Sequence, residues 1–209
     1  MTISTPTALF TGDSITDMCR RTDPSGFLGA GYVRRIAELS SAGAPRLNVI
    51  NTGVSGDRTT DLAARWEADV VERRPDVLTV LIGANDMWRR YDADLPMSAE
   101  EFGANYAALL ERARSALQLT RLVLMDPFLV PVTEEQAGWY AEDLAAKIDV
   151  VRELAARFDA VHIPLHDILT ERAAIEGPAS VIDDGVHPSA GGHELIAQAW
   201  WSTVAPSLA

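Results

Sequence analysis

The stretch Thr7-Ala8-Leu9-Phe10-Thr11-Gly12-Asp13-Ser14-Ile15-Thr16 governs the interpretation of the whole chain. A short apolar run ends at Gly12, and a serine stands two residues after that glycine. This pattern predicts a first β-strand that leaves its sheet in a tight turn and places Ser14 at the carboxyl edge, where open parallel sheets bind their ligands. Ser14 is therefore a candidate nucleophile. A base, a group that orients the base and donors for an oxyanion should then occur elsewhere in the chain.

The overall composition favours a soluble α/β protein with one domain over residues 1–209. The chain is 47% hydrophobic and 23% charged, which is ordinary for a globular protein. Its net charge of -12 argues against binding to nucleic acid or to anionic membranes, because phosphate groups would be repelled. Met1 to Pro6 lacks the features of a signal peptide, and no apolar run approaches the roughly 18 residues of a membrane span. We therefore expect a cytoplasmic protein.

Cys19 is the single cysteine, which excludes an intramolecular disulfide and suits a reducing compartment. It lies close to Ser14 in sequence and next to Arg20, so a catalytic thiol is conceivable. No histidine lies near it in sequence to act as its base, and a packed or incidental cysteine is the favoured interpretation.

Apolar strands alternate with amphipathic helices after the first strand. The most apolar run, Val77 to Ile82, is rich in β-branched residues and predicts a central buried strand. Further strands are predicted at 47–50, 122–125 and 160–163, and helices at 32–39, 59–70, 99–117, 140–154, 165–174 and 192–204. This alternation predicts an α/β fold in which helices cover both faces of a parallel sheet and the crossovers are right-handed.

Two local features of this pattern carry definite expectations. Residues 128–136, which include Pro131, are predicted to form an exposed loop. The second helix should begin at a cap supplied by Thr59 or Thr60. Its residues Leu62, Trp66 and Val70 share one face, so Trp66 is expected in the core.

Four short polar stretches come at strand exits or in a late loop. They are Gly12-Asp13-Ser14, Asn51-Thr52-Gly53, Gly83-Ala84-Asn85-Asp86 and Asp183-Asp184-Gly185-Val186-His187-Pro188. The first three follow strands one, two and three, so they should meet at one edge of the sheet, and the fourth can fold back to that edge. Each Gly-containing turn by itself is a common way to leave a strand.

His187 in the fourth stretch is the candidate base. Pro188 disfavours a helical conformation at His187, which places the imidazole in an extended loop segment. Asp184 lies three residues earlier, and after a tight turn at Gly185 its carboxylate can reach the ring. Such a carboxylate fixes the tautomer of a catalytic imidazole and stabilises the imidazolium. The alternative is an Asp-Gly turn beside a surface histidine, and these residues alone do not decide between the two.

Together the four stretches resemble the SGNH hydrolases, also called GDSL-like esterases and lipases. The family name refers to a Ser, a Gly, an Asn and a His in four separated blocks, here Ser14, Gly53, Asn85 and His187, with the family's Asp-x-x-His present from Asp184. The first block is Gly-Asp-Ser-Ile, a variant that keeps the nucleophile. The resemblance implies a flavodoxin-like α/β/α sandwich with three layers and a central, mainly parallel sheet of five strands. It also implies a serine esterase with no cofactor and no metal.

The resemblance further implies a mechanism. Ser14 Oγ attacks an ester carbonyl while His187 accepts its proton and Asp184 orients the ring. The oxyanion is held by the backbone N–H groups of Ser14 and Gly53 and by the side-chain amide of Asn85. Gly53 suits that place because a glycine allows close approach of the backbone.

Other residues compete for these roles. Ser55 lies one residue short of the Gly-x-Ser-x-Gly elbow of α/β-hydrolases, which belongs to a larger sheet and a longer chain. His162, His166 and Asp167 could be imagined as a metal site, but the strand geometry and the lack of a further ligand favour packing or surface roles.

Three further carboxylates lie next to the motifs. Asp13 and Asp86 adjoin Ser14 and Asn85 and are expected to brace turns by accepting hydrogen bonds from nearby N–H groups. Asp183 adjoins Asp184 but lacks the family spacing to the histidine.

Outside the four blocks, residues 12–17, 28–33, 65–67 and 83–91 resemble the intracellular bacterial acetylxylan esterases. Those are single-domain serine deacetylases that act on xylo-oligosaccharides, so the resemblance implies a small acylated substrate, an acetylated oligosaccharide. Trp88 could line an acyl pocket or stack on a sugar, or it could be a core residue beneath the loop. The resembling esterases assemble, so a homo-oligomer is an expectation.

Two alternatives stay open at this point. The first is a short-chain acyl-ester or thioester hydrolase, or a lysophospholipase-like enzyme of the same family, without sugar specificity. The second is a non-catalytic, flavodoxin-like module that binds an anion at the strand exits, which would need neither Asp184 nor His187.

Overall fold

A parallel sheet of five strands forms the centre of the computed structural model, which describes residues 5–24 and 26–208. The strands are β1 Thr7–Gly12, β2 Asn48–Asn51, β3 Val77–Leu81, β4 Arg121–Met125 and β5 Val161–Ile163. Their order is β2-β1-β3-β4-β5, and every neighbouring pair is parallel. The chain therefore reverses its direction across the sheet at β1, and the carboxyl end of β1 is the topological switch point where such sheets place ligands.

Helices cover both faces of this sheet. They are α1 Ser14–Asp17, α2 Tyr32–Ala42, α3 Thr59–Trp66, α4 Ala84–Asp92, α5 Ala99–Ala116, α6 Ala145–Arg157, α7 Leu165–Glu176 and α8 Ala190–Val204. Helices α2 and α8 pack together on one face, and α5 packs against α3 and α6 on the other. The predicted three-layer α/β fold is confirmed. Within the described residues, none of the helices combines the length and the apolar character needed to cross a membrane.

The strands supply buried side chains to two core clusters at once. In β1, Phe10 packs into the cluster under α2 and α8, whereas Leu9 packs into the cluster under α3 and α5. In β3, Leu81 packs into the first of these clusters and Leu78 into the second. Successive side chains of a strand point to opposite faces, so a sheet covered on both sides needs continuous apolar runs rather than alternating ones.

The face of α3 was predicted correctly, but its cap was not. Trp66 is fully buried, as predicted, together with Leu62. The N-cap residue is Arg58, and Thr59 is already the first helical residue. Thr59 instead ties the start of the helix to α4, because its backbone N–H and its hydroxyl both donate to the buried carboxylate of Asp86.

The prediction of an exposed loop at residues 128–136 was right only for residues 131–135, and it was wrong for both ends of the segment. Phe128 and Leu129 are fully buried, and Gln136 is buried as well. The segment lies in the core cluster under α8, and its Val130 N–H donates to the Gly185 carbonyl at 2.9 Å. Proline and polar residues indicated a loop, which is correct, but the loop packs beneath the segment that carries His187.

Two helices were missed, the single turn α1 after Gly12 and the longer α4. The stretch Gly83-Ala84-Asn85-Asp86 was predicted only as a turn, yet α4 begins at Ala84. Gly83 has φ +127, a conformation that L-residues rarely adopt, and it allows the chain to pass from β3 directly into the helix. Asn85 therefore lies on the first turn of a helix rather than in a loop.

Candidate active site

Ser14 lies at the carboxyl end of β1, as the first residue of α1. Gly12, two residues earlier, has φ +153, and a Cβ atom added there would overlap the Leu81 carbonyl oxygen of the neighbouring strand. Only glycine fits this position. The Asp13 carboxylate caps α1 by accepting the Ile15 N–H at 3.0 Å. The turn is thus held from both sides, and the serine side chain remains half-buried at the sheet edge.

His187 lies next to Ser14 although the two are 173 positions apart in the chain. The distance between Ser14 Oγ and His187 Nε2 is 2.9 Å. On the other side of the ring, His187 Nδ1 lies 2.7 Å from Asp184 Oδ2. The geometry allows a proton to pass from the serine hydroxyl to the imidazole while the carboxylate holds the opposite nitrogen.

The loop around Asp184 is built to hold this carboxylate in place. Asp184 Oδ1 accepts the backbone N–H groups of His187 at 2.8 Å and of Val186 at 3.1 Å, a turn that Gly185 allows with φ +103. Burial acts to raise the pKa of Asp184, but the hydrogen bonds from His187 and Val186 outweigh it and leave the pKa lowered. The carboxylate therefore stays ionised, and its partial exposure to water, 47% of the side chain, favours the same state.

Gln136 holds the same loop from below and is a residue that the sequence analysis did not single out. Its Nε2 donates to the Asp184 carbonyl at 2.7 Å, and its Oε1 accepts the Val132 N–H at 2.9 Å. A side chain at Gly185 would overlap this amide. No local pattern indicates Gln136, because the partner it holds lies 48 positions away.

Asn85 faces the serine from the start of α4. Its Nδ2 donates one hydrogen bond to the Asp57 carbonyl at 3.1 Å, and its Oδ1 lies 3.4 Å from Arg89 Nη2. These two contacts set the orientation of the amide. An Asn amide has two N–H groups, so one remains for a ligand.

Gly53 is placed differently from the expectation. Its N–H donates to Asn51 Oδ1 at 2.9 Å, so this donor is already bound. The close approach that requires a glycine here is to the backbone of α1, since an added Cβ would overlap Thr16 and Asp17. Gly53 does not line the cavity next to Ser14. Because Gly53 has no side chain, the Asn51-Thr52-Gly53 stretch can pack closely against Thr16 and Asp17 of α1.

Gly56, and not Gly53, lies at the cavity next to Ser14. It lines the cavity, has φ +89, and its N–H has no acceptor within the described part of the chain. The sequence contained a usable signal for it, namely the Ser55-Gly56-Asp57 turn before α3. Ser55 itself donates its hydroxyl to Asp17 at 2.6 Å, which occupies it away from the base.

The cavity beside Ser14 has a volume of about 230 Å³. It is small and open, and its walls include Ser14, Gly56, Asn85, Trp88, Arg89 and His187. Trp88 is half-buried and lies between two other rings, 5.9 Å from the ring centre of His187 and 6.1 Å from that of Trp139. It therefore packs against the core and also lines the cavity.

The carboxylates Asp13 and Asp86 are buried, and both accept backbone hydrogen bonds as expected. Burial raises the pKa of Asp13 to about 7, against the lowering effect of the Ile15 N–H. Its Oδ2 is buried and has no partner among the described residues. Asp86 binds Thr59 and so joins α4 to the start of α3.

The remaining candidates lie apart from Ser14. His162 Nε2 contacts Asp126 at 2.6 Å, His166 stacks on Tyr140, and Asp167 pairs with Arg152. Over residues 5–24 and 26–208, no three side chains of His, Cys, Asp or Glu come together as a metal site. Cys19 is exposed and free.

Comparison with known families identifies the chain. A family model described as GDSL-like Lipase/Acylhydrolase family matches residues 10–195, which include the end of β1, all of β2 to β5 and the Ser14, Asn85 and His187 stretches. This chain belongs to the GDSL-like lipase/acylhydrolase family. It is a carboxylic ester hydrolase, and the non-catalytic alternative is removed.

Several relatives of this GDSL-like hydrolase match nearly its whole length. An acetylxylan esterase from Geobacillus stearothermophilus is 35% identical over 204 residues, which cover 92% of this chain and 90% of the relative. The crystal structure of Axe2, an acetylxylan esterase from the same organism, matches with a TM-score of 0.85 at 32% identity over 97% of this chain and 96% of that one. LAE5, an α/β hydrolase from the metagenome of Lake Arreo, matches with a TM-score of 0.85 at 28% identity over 96% of both chains.

Three other solved structures are catalytic mutants of Axe2. In them a serine, an aspartate or a histidine is replaced by alanine, and the aspartate and the histidine are three positions apart. In this chain Ser14 and His187 line the cavity, and Asp184, three positions before His187, contacts the imidazole ring.

Proposed function

We propose that this GDSL-like hydrolase is a serine esterase that removes short acyl groups, acetyl above all, through Ser14, His187 and Asp184. The observation that carries the proposal is the continuous contact from Ser14 Oγ through both ring nitrogens of His187 to Asp184, with distances of 2.9 and 2.7 Å. The Axe2 catalytic mutants support it, since they alter the same three residue types.

The proposed reaction has two halves. Ser14 Oγ attacks the ester carbonyl and passes its proton to His187, which forms a tetrahedral oxyanion. His187 then donates that proton to the leaving alcohol, and an acyl-serine remains. Water attacks the acyl-serine with His187 again as the base, which releases the acid and restores Ser14.

We propose three donors for the oxyanion: the Ser14 N–H at the start of α1, Asn85 Nδ2 and the Gly56 N–H. The first N–H groups of a helix have no partner within it, so the Ser14 amide is free to bind an anion. Gly56 replaces Gly53 in this assignment, because the Gly53 N–H is bound to Asn51. Losing one such donor costs about 3 kcal/mol of transition-state stabilisation.

We further propose an acetylated carbohydrate as the substrate. The relative that covers 92% of this chain is an acetylxylan esterase. A cavity of about 230 Å³ leaves little room for a long acyl chain beside Ser14. Trp88 presents a ring that suits a sugar face, and Arg89 can donate hydrogen bonds to hydroxyl groups. The expectation of a homo-oligomer stays a prediction.

The test is a substrate panel with the purified protein. We expect faster acetate release from acetylated xylo-oligosaccharides than from ethyl acetate, an unactivated acetate without a sugar, and little hydrolysis of p-nitrophenyl octanoate compared with p-nitrophenyl acetate. Covalent labelling by an organophosphorus probe should occur in the native protein and be absent in Ser14→Ala. Equal rates on sugar and non-sugar acetates would favour the general short-chain esterase, and labelling that persists in Ser14→Ala would refute the nucleophile.

A further inference from the structure

Arg65 of α3 makes an unusual set of contacts just behind the cavity. Its Nη2 donates to the Gly12 carbonyl at 2.9 Å, its Nη1 donates to the Thr52 carbonyl at 2.5 Å, and its Nε donates to Asp57 Oδ2 at 2.6 Å. The guanidinium also pairs with Asp69 one helical turn further on. Its side chain is only 16% exposed.

These acceptors belong to the segments that carry the proposed oxyanion donors. Gly12 precedes Ser14 by two residues at the end of β1, and Thr52 follows the end of β2. Asp57 directly follows Gly56, and its carbonyl accepts the Asn85 Nδ2 hydrogen bond at 3.1 Å. One side chain therefore joins the nucleophile turn, the Gly56 loop and, through Asp57, the amide of Asn85.

The loop that contains Gly56 is held at its two ends by different groups. At one end, Asp17 Oδ2 accepts both the backbone N–H and the hydroxyl of Ser55, at 3.1 and 2.6 Å. At the other end, Asp57 is held by Arg65. Without Arg65 the loop keeps its anchor at Ser55, while the end that contacts Asn85 loses its charged partner.

Only arginine supplies this pattern of donors. A guanidinium has five N–H groups in a rigid plane, so it can hold two carbonyl oxygens and two carboxylates at fixed relative positions. A lysine ammonium can pair with Asp57, but it cannot span the Gly12 and Thr52 carbonyls with the same geometry.

We propose that Arg65 is a positioning residue for the esterase reaction: it fixes the spacing between the Ser14, Gly56 and Asn85 donors without touching the substrate. The inference rests on the proposed function. Donors placed in advance around a developing oxyanion stabilise the transition state more than the bound substrate. A small shift of Gly56 and Asn85 should therefore lower kcat and leave KM nearly unchanged.

The test compares Arg65→Lys and Arg65→Ala with Arg112→Ala. Arg112 is a control from the neighbouring helix α5, where it contacts the α3 backbone at Ala63 and pairs with Glu67, away from the cavity. For p-nitrophenyl acetate we expect kcat to fall at least about 30-fold in both Arg65 variants, with KM changed by less than about threefold. Arg112→Ala should keep the native kcat.

Two readouts separate positioning from general damage. Low millimolar guanidinium should restore part of the activity of Arg65→Ala and none of that of Arg65→Lys, whose side chain fills the site. The affinity for phenylboronic acid, which forms a tetrahedral adduct with an active serine, should fall in step with kcat/KM. Should Arg65→Ala fail to fold, Arg65→Lys and Asp57→Asn carry the test.

The inference is overturned if Arg65→Lys keeps the native kcat, or if phenylboronic acid binds the variants as tightly as the native protein. It is also overturned if the loss of activity merely follows the unfolded fraction. Failure of the proposed function has a different signature, because the native protein itself would then not be labelled at Ser14 by the organophosphorus probe.

Discussion

Ser14, His187 and Asp184 form a chain of contacts whose middle and last members come from one tight turn. Asp184 binds the His187 ring and also the His187 backbone N–H, so the carboxylate orients both the residue and its imidazole. Asp183, the residue before Asp184, makes no side-chain contact with the ring among the described residues; its backbone N–H donates to the His187 carbonyl instead. The spacing of three residues before His187 therefore identifies which of the two adjacent carboxylates binds the ring.

Removing the base should affect turnover more than removing its partner. We expect His187→Ala to lower kcat by about 10⁶-fold and Asp184→Asn by about 10⁴-fold, because the imidazole transfers the proton and the carboxylate only orients and stabilises it. Initial rates with p-nitrophenyl acetate measure both. Asp183→Asn is the matched control and should remain active. Comparable activity in His187→Ala and the native protein would contradict the triad.

Asn85 should act on the transition state rather than on substrate binding. We expect Asn85→Ala to lower kcat by about 10²- to 10³-fold with a small change in KM, since the lost amide binds the oxyanion and not the ground state. Steady-state kinetics with a short acetate ester check this. Asn48→Ala, at the exposed start of β2, serves as the control. A change confined to KM would point to a substrate contact instead.

At the scale of elements, two segments decide the shape of the site. Helix α4 brings Asn85 and Trp88, which are three positions apart, to the cavity on one helical turn. Arg89, the fourth residue after Asn85, contacts the Asn85 amide. Residues 128–136 pass beneath the His187 loop and support it through Val130 and Gln136. The loop prediction for this segment considered only local polarity and missed this contact.

Gln136→Glu isolates the support that this segment gives. Glutamate keeps the acceptor for the Val132 N–H but removes the donor to the Asp184 carbonyl, so we expect kcat to fall by about tenfold as the Asp184 turn loosens. Gln198→Glu on the exposed side of α8 is the control for the added charge. Kinetics of both variants, together with their melting temperatures, provide the check. Unchanged kcat in a folded Gln136→Glu variant would show that the loop needs no such support.

At the scale of the whole molecule, the sheet order brings the carboxyl ends of β1, β2 and β3 together. Helix α8 packs against α2 on one face of this sheet. Between α2 and α8, His193 is buried and its Nδ1 accepts the Tyr32 N–H at 3.2 Å. Burial lowers the pKa of His193 to about 4, with the charges of His187 and Arg35 acting in the same direction. The folded protein thus keeps this imidazole neutral.

This burial links stability to pH. Between about pH 4 and 6.5 the unfolded chain binds the His193 proton and the folded protein does not, so the free energy of unfolding falls as the pH is lowered through this window, by up to about 1.4 kcal/mol per pH unit. Asp13, whose pKa burial raises to about 7, contributes the opposite slope. The contribution of His193 must therefore be measured as the difference between the pH slopes of the native protein and of a His193 variant.

We expect His193→Asn, whose side-chain oxygen can still accept the Tyr32 N–H, to lose the His193 part of this slope. Urea unfolding at several pH values from 4.5 to 7 measures it. If native protein and variant show parallel curves, His193 does not titrate differently in the two states.

The sequence by itself determined the features that depend on neighbouring residues. Apolar periodicity is local, so the strands around Phe10 and Leu78 and the buried face of Trp66 were predictable. The serine after Gly12 and the Asp184–His187 spacing are local as well, but they indicated a serine hydrolase only through the resemblance of all four polar stretches to a known family.

Only the tertiary structure decided which groups meet. It placed Gly56 on the cavity and bound the Gly53 N–H to Asn51. It buried Gln136 against a carbonyl 48 positions away, and it brought Arg65 to Gly12 across 53 positions. The physical reason is that hydrogen bonds between distant segments depend on how strands and helices pack, and no local periodicity or spacing records that packing.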